Sequence, residues 1–177
     1  EPWQGTTAGE TFSSFEKVFA LSGKPISQDS ESVIFSVDVE NRRYYVKQYH
    51  TTKGIRSWLG KSRIRLEARN QLWFNQIGLP AARVWAFGEE HILGRTMRGG
   101  LITESLENTE DLVWTAKNRP DLFNNRQWVA QVIDQVAELT RTIHQHKFCH
   151  NDLKWRNILV LQDAEQPQVY LIDCPVG

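Results

Sequence analysis

The first half of the chain alternates apolar and polar side chains, which is typical of half-buried strands. Every second position from Val33 to Val39 is apolar, and the polar triplet "ENR" at residues 40–42 interrupts the pattern. We expect a β-hairpin over residues 32–49. Two further strands are expected at "RVWAFGEE" (83–90) and "GGLITES" (99–105).

Residues 125–146 carry apolar side chains at the three- and four-residue spacing of an amphipathic helix. Asn124 or Asn125 is a suitable N-cap for this helix. Two apolar strands are expected after the loop that follows it, at "NILVL" (157–161) and "VYLID" (169–173).

Two shorter helices are predicted in the first half. One covers residues 61–77 and ends at Gly78, with Glu67 at the margin of its apolar side. That apolar side would hold Ile64, Ala68 and Leu72. The other covers residues 12–21 and has the spacing of a capping box that begins at Ser13.

A strand-rich half followed by a helix-rich half predicts an α+β protein with two lobes. We place the first domain at residues 1–104 and the second at residues 105–177. The polar segment "ENTEDL" (107–112) is expected to be a linker into a short helix.

Composition narrows the class of protein. The chain has 21 basic and 21 acidic side chains among 177 residues, so it lacks the net positive charge of a general nucleic-acid-binding protein. No apolar run reaches the roughly 20 residues of a transmembrane helix. Two cysteines, Cys149 and Cys174, are too few for a disulfide framework, so we expect two buried, reduced thiols and a cytoplasmic location.

Basic side chains are nevertheless concentrated in residues 53–69, where Glu67 is the only acid and Trp58 interrupts the charge. The basic residues are Lys53, Arg56, Lys61, Arg63, Arg65 and Arg69. One explanation is a solvated helix face. The other is a patch that contacts an anionic membrane or a phosphorylated sugar-lipid.

The segment "KFCHNDLKWRNILV" (147–160) combines four chemically active side chains: His150, Asp152, Lys154 and Asn157. A polar loop that satisfies its own backbone groups would explain them. However, the strand "VYLID" also ends in a carboxylate, Asp173. Carboxylate and amide oxygens from Asp173 and Asn157 are ligands of the kind that Mg²⁺ prefers.

Lys47 is expected in the middle of a strand, among aromatic side chains. An ammonium group there is costly unless it is paired, and Glu67 is a suitable partner. A lysine that extends to solvent beside a solvated glutamate is the alternative. We predict that Lys47 pairs with Glu67.

Four segments occur in an order that resembles the protein-kinase-like fold. They are "YYVKQY" (44–49), "RLEARN" (65–70), "HNDLKWRN" (150–157) and "LID" (171–173). With "EARNQLWFNQIGLPAARVWAFG" (67–88), the chain is similar over roughly residues 25–175 to bacterial lipopolysaccharide kinases, which phosphorylate Kdo or heptose of the inner core.

The resemblance implies two lobes, with an antiparallel sheet and helix C in the first and helices in the second. It also implies an ATP-dependent sugar kinase that uses Mg²⁺. The implied catalytic residues are Asp152 and Lys154, and the implied metal ligands are Asn157 and Asp173. The implied ATP-binding residues are Lys47, Glu67 and the backbone groups of Glu104 and Leu106.

The chain also departs from the pattern. No G-x-G-x-x-G precedes the hairpin, where "ISQDSES" (26–32) offers Ser27, Ser30 and Ser32 to the phosphates instead. Asn151 replaces the arginine of H-R-D, and Cys174 follows the metal aspartate. The resemblance further implies helices after residue 177, so we expect a partial second lobe that is inactive alone.

Two alternatives to a lipopolysaccharide kinase stay open at this point. One is a small-molecule phosphotransferase of the aminoglycoside or choline kinase type. The other is a non-catalytic kinase-like module. The expected partners are ATP, a lipopolysaccharide core sugar and an anionic membrane at the inner membrane face, with no nucleic acid.

Overall fold

The protein divides into two compact units. In this computed structural model, the first unit comprises Glu1–Arg69 and Arg83–Ser105, and the second comprises Asn70–Ala82 and Leu106–Gly177. The structure describes residues 5–50, 62–93, 95–163 and 165–174. The division into domains at residues 1–104 and 105–177 stays a prediction.

The first unit is built on a five-stranded antiparallel sheet with the order β1-β2-β3-β5-β4. The predicted hairpin is confirmed, and its turn is formed by Glu40 and Asn41, both at positive φ. The strands are β1 (Lys24–Gln28), β2 (Ser32–Val39), β3 (Arg42–His50), β4 (Val84–Ile92) and β5 (Arg95–Glu104).

Two short helices precede the sheet, α1 (Thr7–Thr11) and α2 (Phe15–Ala20), where one helix over residues 12–21 was predicted. The N-cap is Ser14, not Ser13, because the Ser14 hydroxyl accepts the Lys17 N–H at 3.2 Å. Ser13 instead donates its hydroxyl to the Glu10 carbonyl at 2.8 Å. The predicted helix therefore began about one turn too early.

Helix α3 (Arg63–Gln76) is followed by Gly78, which lies at φ +75° as a helix-ending glycine should. Ile64 and Ala68 are buried as predicted, but Leu72 is 41% exposed. An α-helix turns about 100° per residue, so a position eight residues further on lies about 80° off the starting face. The prediction for Leu72 ignored this drift and is wrong.

Packing of the first unit fixes the middle of β3 and the start of α3. Val46 on β3 and Ile102 on β5 belong to one buried apolar cluster. Ile64, Ala68 and Leu101 belong to a second. Gly99 on β5 permits this packing, since a Cβ at that position would lie 2.9 Å from Ile64. The close approach brings α3 against the sheet whose strand β3 carries Lys47.

In its described residues, the second unit contains the C-terminal part of α3, three further helices and a small sheet. The long predicted helix is confirmed as α6 (Arg126–Gln145), and Asn125 caps it by accepting the N–H groups of residues 127 and 128. The shorter helices are α4 (Leu112–Asn118) and α5 (Pro120–Asn124). The antiparallel sheet consists of β6 (Thr109–Asp111), β7 (Ile158–Leu161) and β8 (Val169–Leu171).

The segment predicted as a linker is structured. Thr109–Asp111 forms strand β6 and pairs with β7, and Asp111 then caps α4 by accepting the N–H groups of Val113 and Trp114. The strand carries no apolar alternation because all three of its residues are polar. Hydrophobic patterning therefore had no signal for it.

The core of the second unit lies between α6 and the small sheet. Trp128, Ile143, Val160 and Leu171 are almost completely buried there. Cys174 is buried as expected, but Cys149 is exposed, so the prediction of two buried thiols holds for one of them. Within the described residues, no helix is long and apolar enough to cross a membrane.

Candidate functional site

Asp152 lies in the loop between α6 and β7 and is held by two neighbouring side chains. Lys154 Nζ is 2.7 Å from both carboxylate oxygens, and Asn157 Nδ2 is 3.0 Å from Oδ2. The hydrogen bond from Lys154, followed by that from Asn157, lowers the pKa of Asp152. Asp152 is therefore an ionised hydrogen-bond acceptor at neutral pH.

The end of this loop is anchored by Asn157, whose side chain is buried. Its Nδ2 also donates to the Asp152 carbonyl at 2.8 Å, and its own carbonyl accepts the Ile172 N–H at 3.1 Å. Asn157 is 2% exposed, at the end of a 3-10 turn formed by Trp155–Asn157. The amide nitrogen is thus turned toward Asp152, which directs Oδ1 the other way.

His150 connects the loop to the segment after β8. Its Nε2 lies 3.3 Å from the Ile172 carbonyl oxygen, and Nδ1 is buried without a hydrogen-bond partner in the described part of the chain. Burial lowers the pKa of His150, and the Ile172 carbonyl offsets this only in part. A neutral His150 therefore supports the backbone next to Asp173.

Asp173 follows β8 at φ +57°, a conformation that costs free energy for a residue other than glycine. The next residue is fixed by Asn70 of α3, whose Nδ2 donates to the Cys174 carbonyl at 2.9 Å. Sequence reasoning missed Asn70, although it is three residues after Glu67 on the same helix and is buried. Strained backbone held by such contacts is common at functional sites.

Asn157 and Asp173 were predicted to hold Mg²⁺, and their chemistry fits that role. An amide oxygen and a carboxylate are hard oxygen donors. Among the described residues, no cluster of three or more His, Cys, Asp or Glu side chains is arranged to hold a metal ion. Two protein ligands suit Mg²⁺, which usually keeps several waters or phosphate oxygens.

The first unit contains the predicted ion pair. Lys47 on β3 donates from Nζ to both carboxylate oxygens of Glu67 on α3, at 2.7 and 2.9 Å. The two side chains are 9% and 6% exposed. The predicted pairing is confirmed, whereas the role of these residues in ATP binding stays a prediction.

Tyr49 is a third member of this cluster that the sequence reasoning did not assign. Its hydroxyl donates to Oε2 of Glu67, and the Lys47 ammonium lies 5.3 Å from the centre of its ring. The period of two along β3 places Tyr49 on the same face as Lys47, so the alternation could have identified it. Glu67 is thereby satisfied by two donors in a buried setting.

The turn between β1 and β2 occupies the position at which the kinase-like pattern has a glycine-rich loop and this sequence has none. The Asp29 carboxylate accepts the N–H groups of Glu31 at 2.8 Å and Ser32 at 2.6 Å. These backbone bonds lower the pKa of Asp29. The N–H of Ser32, which we expected to face phosphate, is therefore bound to a carboxylate of the chain itself.

The two residues predicted to bind the adenine edge differ in how their backbone groups are used. The Glu104 N–H donates to the Arg83 carbonyl at 2.9 Å. The Leu106 carbonyl accepts the Thr109 hydroxyl at 2.8 Å. Their role in binding ATP stays a prediction.

Residues 53–61, which are about half of the basic segment 53–69, lie outside the described residues. Arg63 pairs with Glu31 at 3.5 Å, and Arg65 pairs with Glu89 at 2.7 Å. These two arginines are thus partly neutralised by acids of the same unit, and contact with a membrane stays a proposal.

The fold has a solved counterpart. A structure described as WaaP in complex with acyl carrier protein superimposes with a TM-score of 0.62 at 22% sequence identity. The match covers 91% of this chain and 64% of that one. The chain therefore has a protein-kinase-like α+β fold, as predicted.

The family follows from the sequence. Residues 26–175 match the model of the lipopolysaccharide kinase (Kdo/WaaP) family. The chain belongs to this family, and the resemblance identified from its motifs is confirmed.

Curated relatives carry one name. A 3-deoxy-D-manno-octulosonic acid kinase of Mannheimia succiniciproducens is 30% identical over 150 residues, which is 79% of this chain and 57% of the relative. A protein of the same name from Actinobacillus succinogenes is 28% identical over 148 residues, with the same coverage. The chain thus spans a little more than half the length of these relatives.

Proposed function

We propose that this chain carries the phosphoryl-transfer residues of an ATP-dependent kinase for 3-deoxy-D-manno-octulosonic acid (Kdo) in the lipopolysaccharide inner core. The observation that carries the proposal is the Asp152–Lys154–Asn157 cluster in a chain of the Kdo/WaaP family. The name shared by the curated relatives supports Kdo as the acceptor.

Asp152 has the role of orienting the acceptor hydroxyl and accepting its proton. Its lowered pKa keeps it ionised at neutral pH, and Asn157 fixes the direction of its carboxylate. Transfer of a phosphoryl group has a loose transition state, so positioning matters more than the strength of the base. A carboxylate of low basicity is sufficient for this role.

Lys154 neutralises charge that develops on the transferred phosphoryl group. In the free protein its ammonium group is bound to Asp152, at 2.7 Å from each oxygen. Lys154 is about half exposed, so it can exchange this contact for a phosphate oxygen when substrate binds. The exchange would leave Asp152 ready for the acceptor hydroxyl.

Lys47 binds the α- and β-phosphates of ATP in this proposal, and Glu67 holds Lys47 in place. The buried ion pair and the hydroxyl of Tyr49 support a fixed orientation of the Lys47 side chain. The backbone groups of Glu104 and Leu106 are assigned to the adenine edge.

Asn157 and Asp173 would hold Mg²⁺, which when bound neutralises charge on the phosphate oxygens. The strained backbone of Asp173 and the bond from Asn70 to the following carbonyl favour a fixed carboxylate.

A non-catalytic, kinase-like binding module is the second candidate, and one observation favours it. Asp29 occupies N–H groups of the β1–β2 turn, which are donors that bind phosphates in glycine-rich loops. ATP would then bind weakly or through other groups.

Substitution of Asp152 tests the proposal against this second candidate. We expect Asp152→Asn in the full-length protein to reduce Mg²⁺-dependent phosphorylation of a Kdo-containing acceptor by about a hundredfold or more, because the hydroxyl loses its proton acceptor. Binding of ATP and the unfolding transition should stay close to those of the unmodified protein.

Asp134→Asn, at a position on α6, is a control that removes an equal charge. Full activity of Asp152→Asn would exclude Asp152 from the mechanism. ATP binding without any acceptor phosphorylation in the unmodified protein would favour the non-catalytic module.

The proposed location is the cytoplasm, with peripheral contact to the inner membrane face through residues 53–69. Sedimentation with anionic vesicles at low salt, before and after replacement of Arg56, Lys61 and Arg63 by Gln, tests the contact. Equal sedimentation of both proteins would argue against it.

A further inference from the structure

The loop that holds Asp152 has two exposed side chains between two anchored ones. Lys154 and Asn157 both bind the Asp152 carboxylate. Between them, Trp155 and Arg156 point to solvent from the 3-10 turn. Two side chains that are not needed to build the carboxylate site are thus held within four residues of it.

Trp155 is a large aromatic residue that is 53% exposed. Its ring centre lies 5.8 Å from that of Phe123, with 36° between the planes, so one side of the indole is supported by α5. Trp155 also borders an apolar cavity of about 360 Å³ that Ile133 of α6 helps to line. Exposed apolar surface of this kind is typical of ligand-binding sites.

Arg156 is exposed and makes no hydrogen bond or ion pair with any of the described residues. Its guanidinium group is always charged and presents donors that match a carboxylate in a bidentate manner. Successive residues of a 3-10 turn project about 120° apart, so a ligand that touched both Trp155 and Arg156 would meet them with different groups.

We propose that Trp155 and Arg156 form the acceptor-recognition pair of this kinase. Trp155 stacks on the apolar C–H face of the acceptor sugar, and Arg156 binds the carboxylate of an ulosonic acid. The inference rests on the proposed function and adds the residues that select an acidic sugar over a neutral one. Asp152 would then receive a hydroxyl of a sugar whose ring and acid group are already fixed.

The test compares two acceptors with the full-length protein: a Kdo-containing acceptor and the same compound with its carboxylate converted to a methyl ester. We expect Arg156→Gln to raise KM for the acid by about tenfold or more, the loss typical of a hydrogen bond to a charged group. KM for the ester and for ATP should not change. Arg126→Gln is the matched control, because Arg126 is also exposed and makes no ion pair in the described part of the chain.

Trp155→Ala should raise KM for both acceptors, and Trp155→Phe, which keeps a ring, should restore most of the loss. Trp114→Ala is the control, since Trp114 is 40% exposed on α4 of the same unit. Quenching of tryptophan fluorescence by the acceptor without ATP should be smaller in Trp155→Phe, which gives a readout independent of turnover.

Three results would overturn the inference. Equal acceptor kinetics for Arg156→Gln and Arg126→Gln would exclude the carboxylate contact while leaving the proposed function intact. A Trp155→Ala protein that melts earlier but has unchanged acceptor KM would make Trp155 a packing residue. If the unmodified protein phosphorylates neither acceptor, the proposed function fails, and the recognition pair fails with it.

Discussion

At the scale of single residues, the ion pair between Asp152 and Lys154 favours the ionised form of the Asp152 carboxylate. The pKa of Asp152 lies below its ordinary value because Lys154 and Asn157 donate hydrogen bonds to the ionised form, while the negative charge of Asp173 opposes this effect. A lowered pKa means that the carboxylate stays ionised as the pH falls. Loss of Lys154 should therefore have an effect on pH dependence as well as on rate.

We predict that Lys154→Met moves the acidic limb of the kcat/KM profile to higher pH. Without the ammonium group, the pKa of Asp152 rises, so the carboxylate becomes protonated at a higher pH and activity is lost earlier on acidification. The profile of kcat/KM against pH measures this. Lys117→Met, at an exposed position in the last turn of α4, should leave the limb in place. A Lys154→Met enzyme with reduced rate and an unmoved limb would show that Lys154 acts only on phosphate.

A second residue-scale prediction concerns Asp29. Asp29→Asn keeps a side-chain acceptor for the turn N–H groups of Glu31 and Ser32 but removes the negative charge. If ATP phosphates bind near this turn, we expect the ATP Kd to fall about two- to tenfold, as removal of one nearby like charge predicts.

Titration with ATP at low and moderate salt measures the Kd of the Asp29→Asn variant. The difference from the unmodified protein should become smaller as the salt concentration rises. Asp38→Asn is the control, because Asp38 is exposed and paired with Arg43 in the same unit. An identical Kd in both variants would mean that phosphate binds away from the β1–β2 turn.

At the scale of elements, the Lys47–Glu67 pair joins strand β3 to helix α3. Because both groups are buried, removal of either one leaves a buried charge without its opposite charge. We expect Lys47→Met or Glu67→Gln to lower the free energy of unfolding by about 3–5 kcal/mol, and the double variant to cost clearly less than the sum. Denaturant unfolding of the four proteins measures the coupling.

The exposed pair Arg43–Asp38 on the β2–β3 hairpin provides the comparison. Its side chains are 54% and 64% exposed, so its coupling energy should be about 0–1 kcal/mol. Equal coupling energies in the two pairs would show that burial does not strengthen the interaction between Lys47 and Glu67.

Elements with regular patterns were predictable from the sequence, and irregular ones were not. Helix α6 combines five apolar positions at helical spacing with a capping asparagine, so pattern and cap agree. Strand β6 lacks both signals, since it is held by pairing with β7 rather than by its own side chains. Its existence depends on residues about fifty positions away, which local patterning does not report.

The candidate site divides in the same way. The pairing of Lys47 with Glu67 was predictable because an ammonium group among aromatic side chains is costly without a partner. Asp29 was overlooked because an aspartate before a turn is ordinary, and only geometry shows that its carboxylate takes the turn N–H groups. The orientation of the Asn157 amide toward Asp152 likewise depends on the three-dimensional structure and could not be predicted from the sequence.

At the scale of the whole molecule, each compact unit has its own apolar interior. Val46 lies at 0% exposure in the first unit, and Val160 lies at 0% exposure in the second. We predict that Val46→Ala accelerates hydrogen exchange mainly in β2, β3 and β5. Val160→Ala should do so mainly in α6 and β6–β8, because local stability follows local packing.

Residue-resolved hydrogen exchange on the two variants measures this, and it also tests the predicted division into domains. Exchange that increases evenly across the chain in both variants would mean that the protein unfolds as one cooperative unit.

The separation of anchored and exposed side chains along Asp152–Asn157 has a consequence for how members of such a family can diverge. The side chains that build the carboxylate site and the two that face solvent occupy separate positions, although they share one short turn. If Trp155 and Arg156 recognise the acceptor as proposed, mutations at these two positions would leave in place the side chains that hold Asp152. On the same proposal, changes at these two positions would alter the preferred acceptor, and a library randomised there would be a compact starting point for directed evolution toward new sugars.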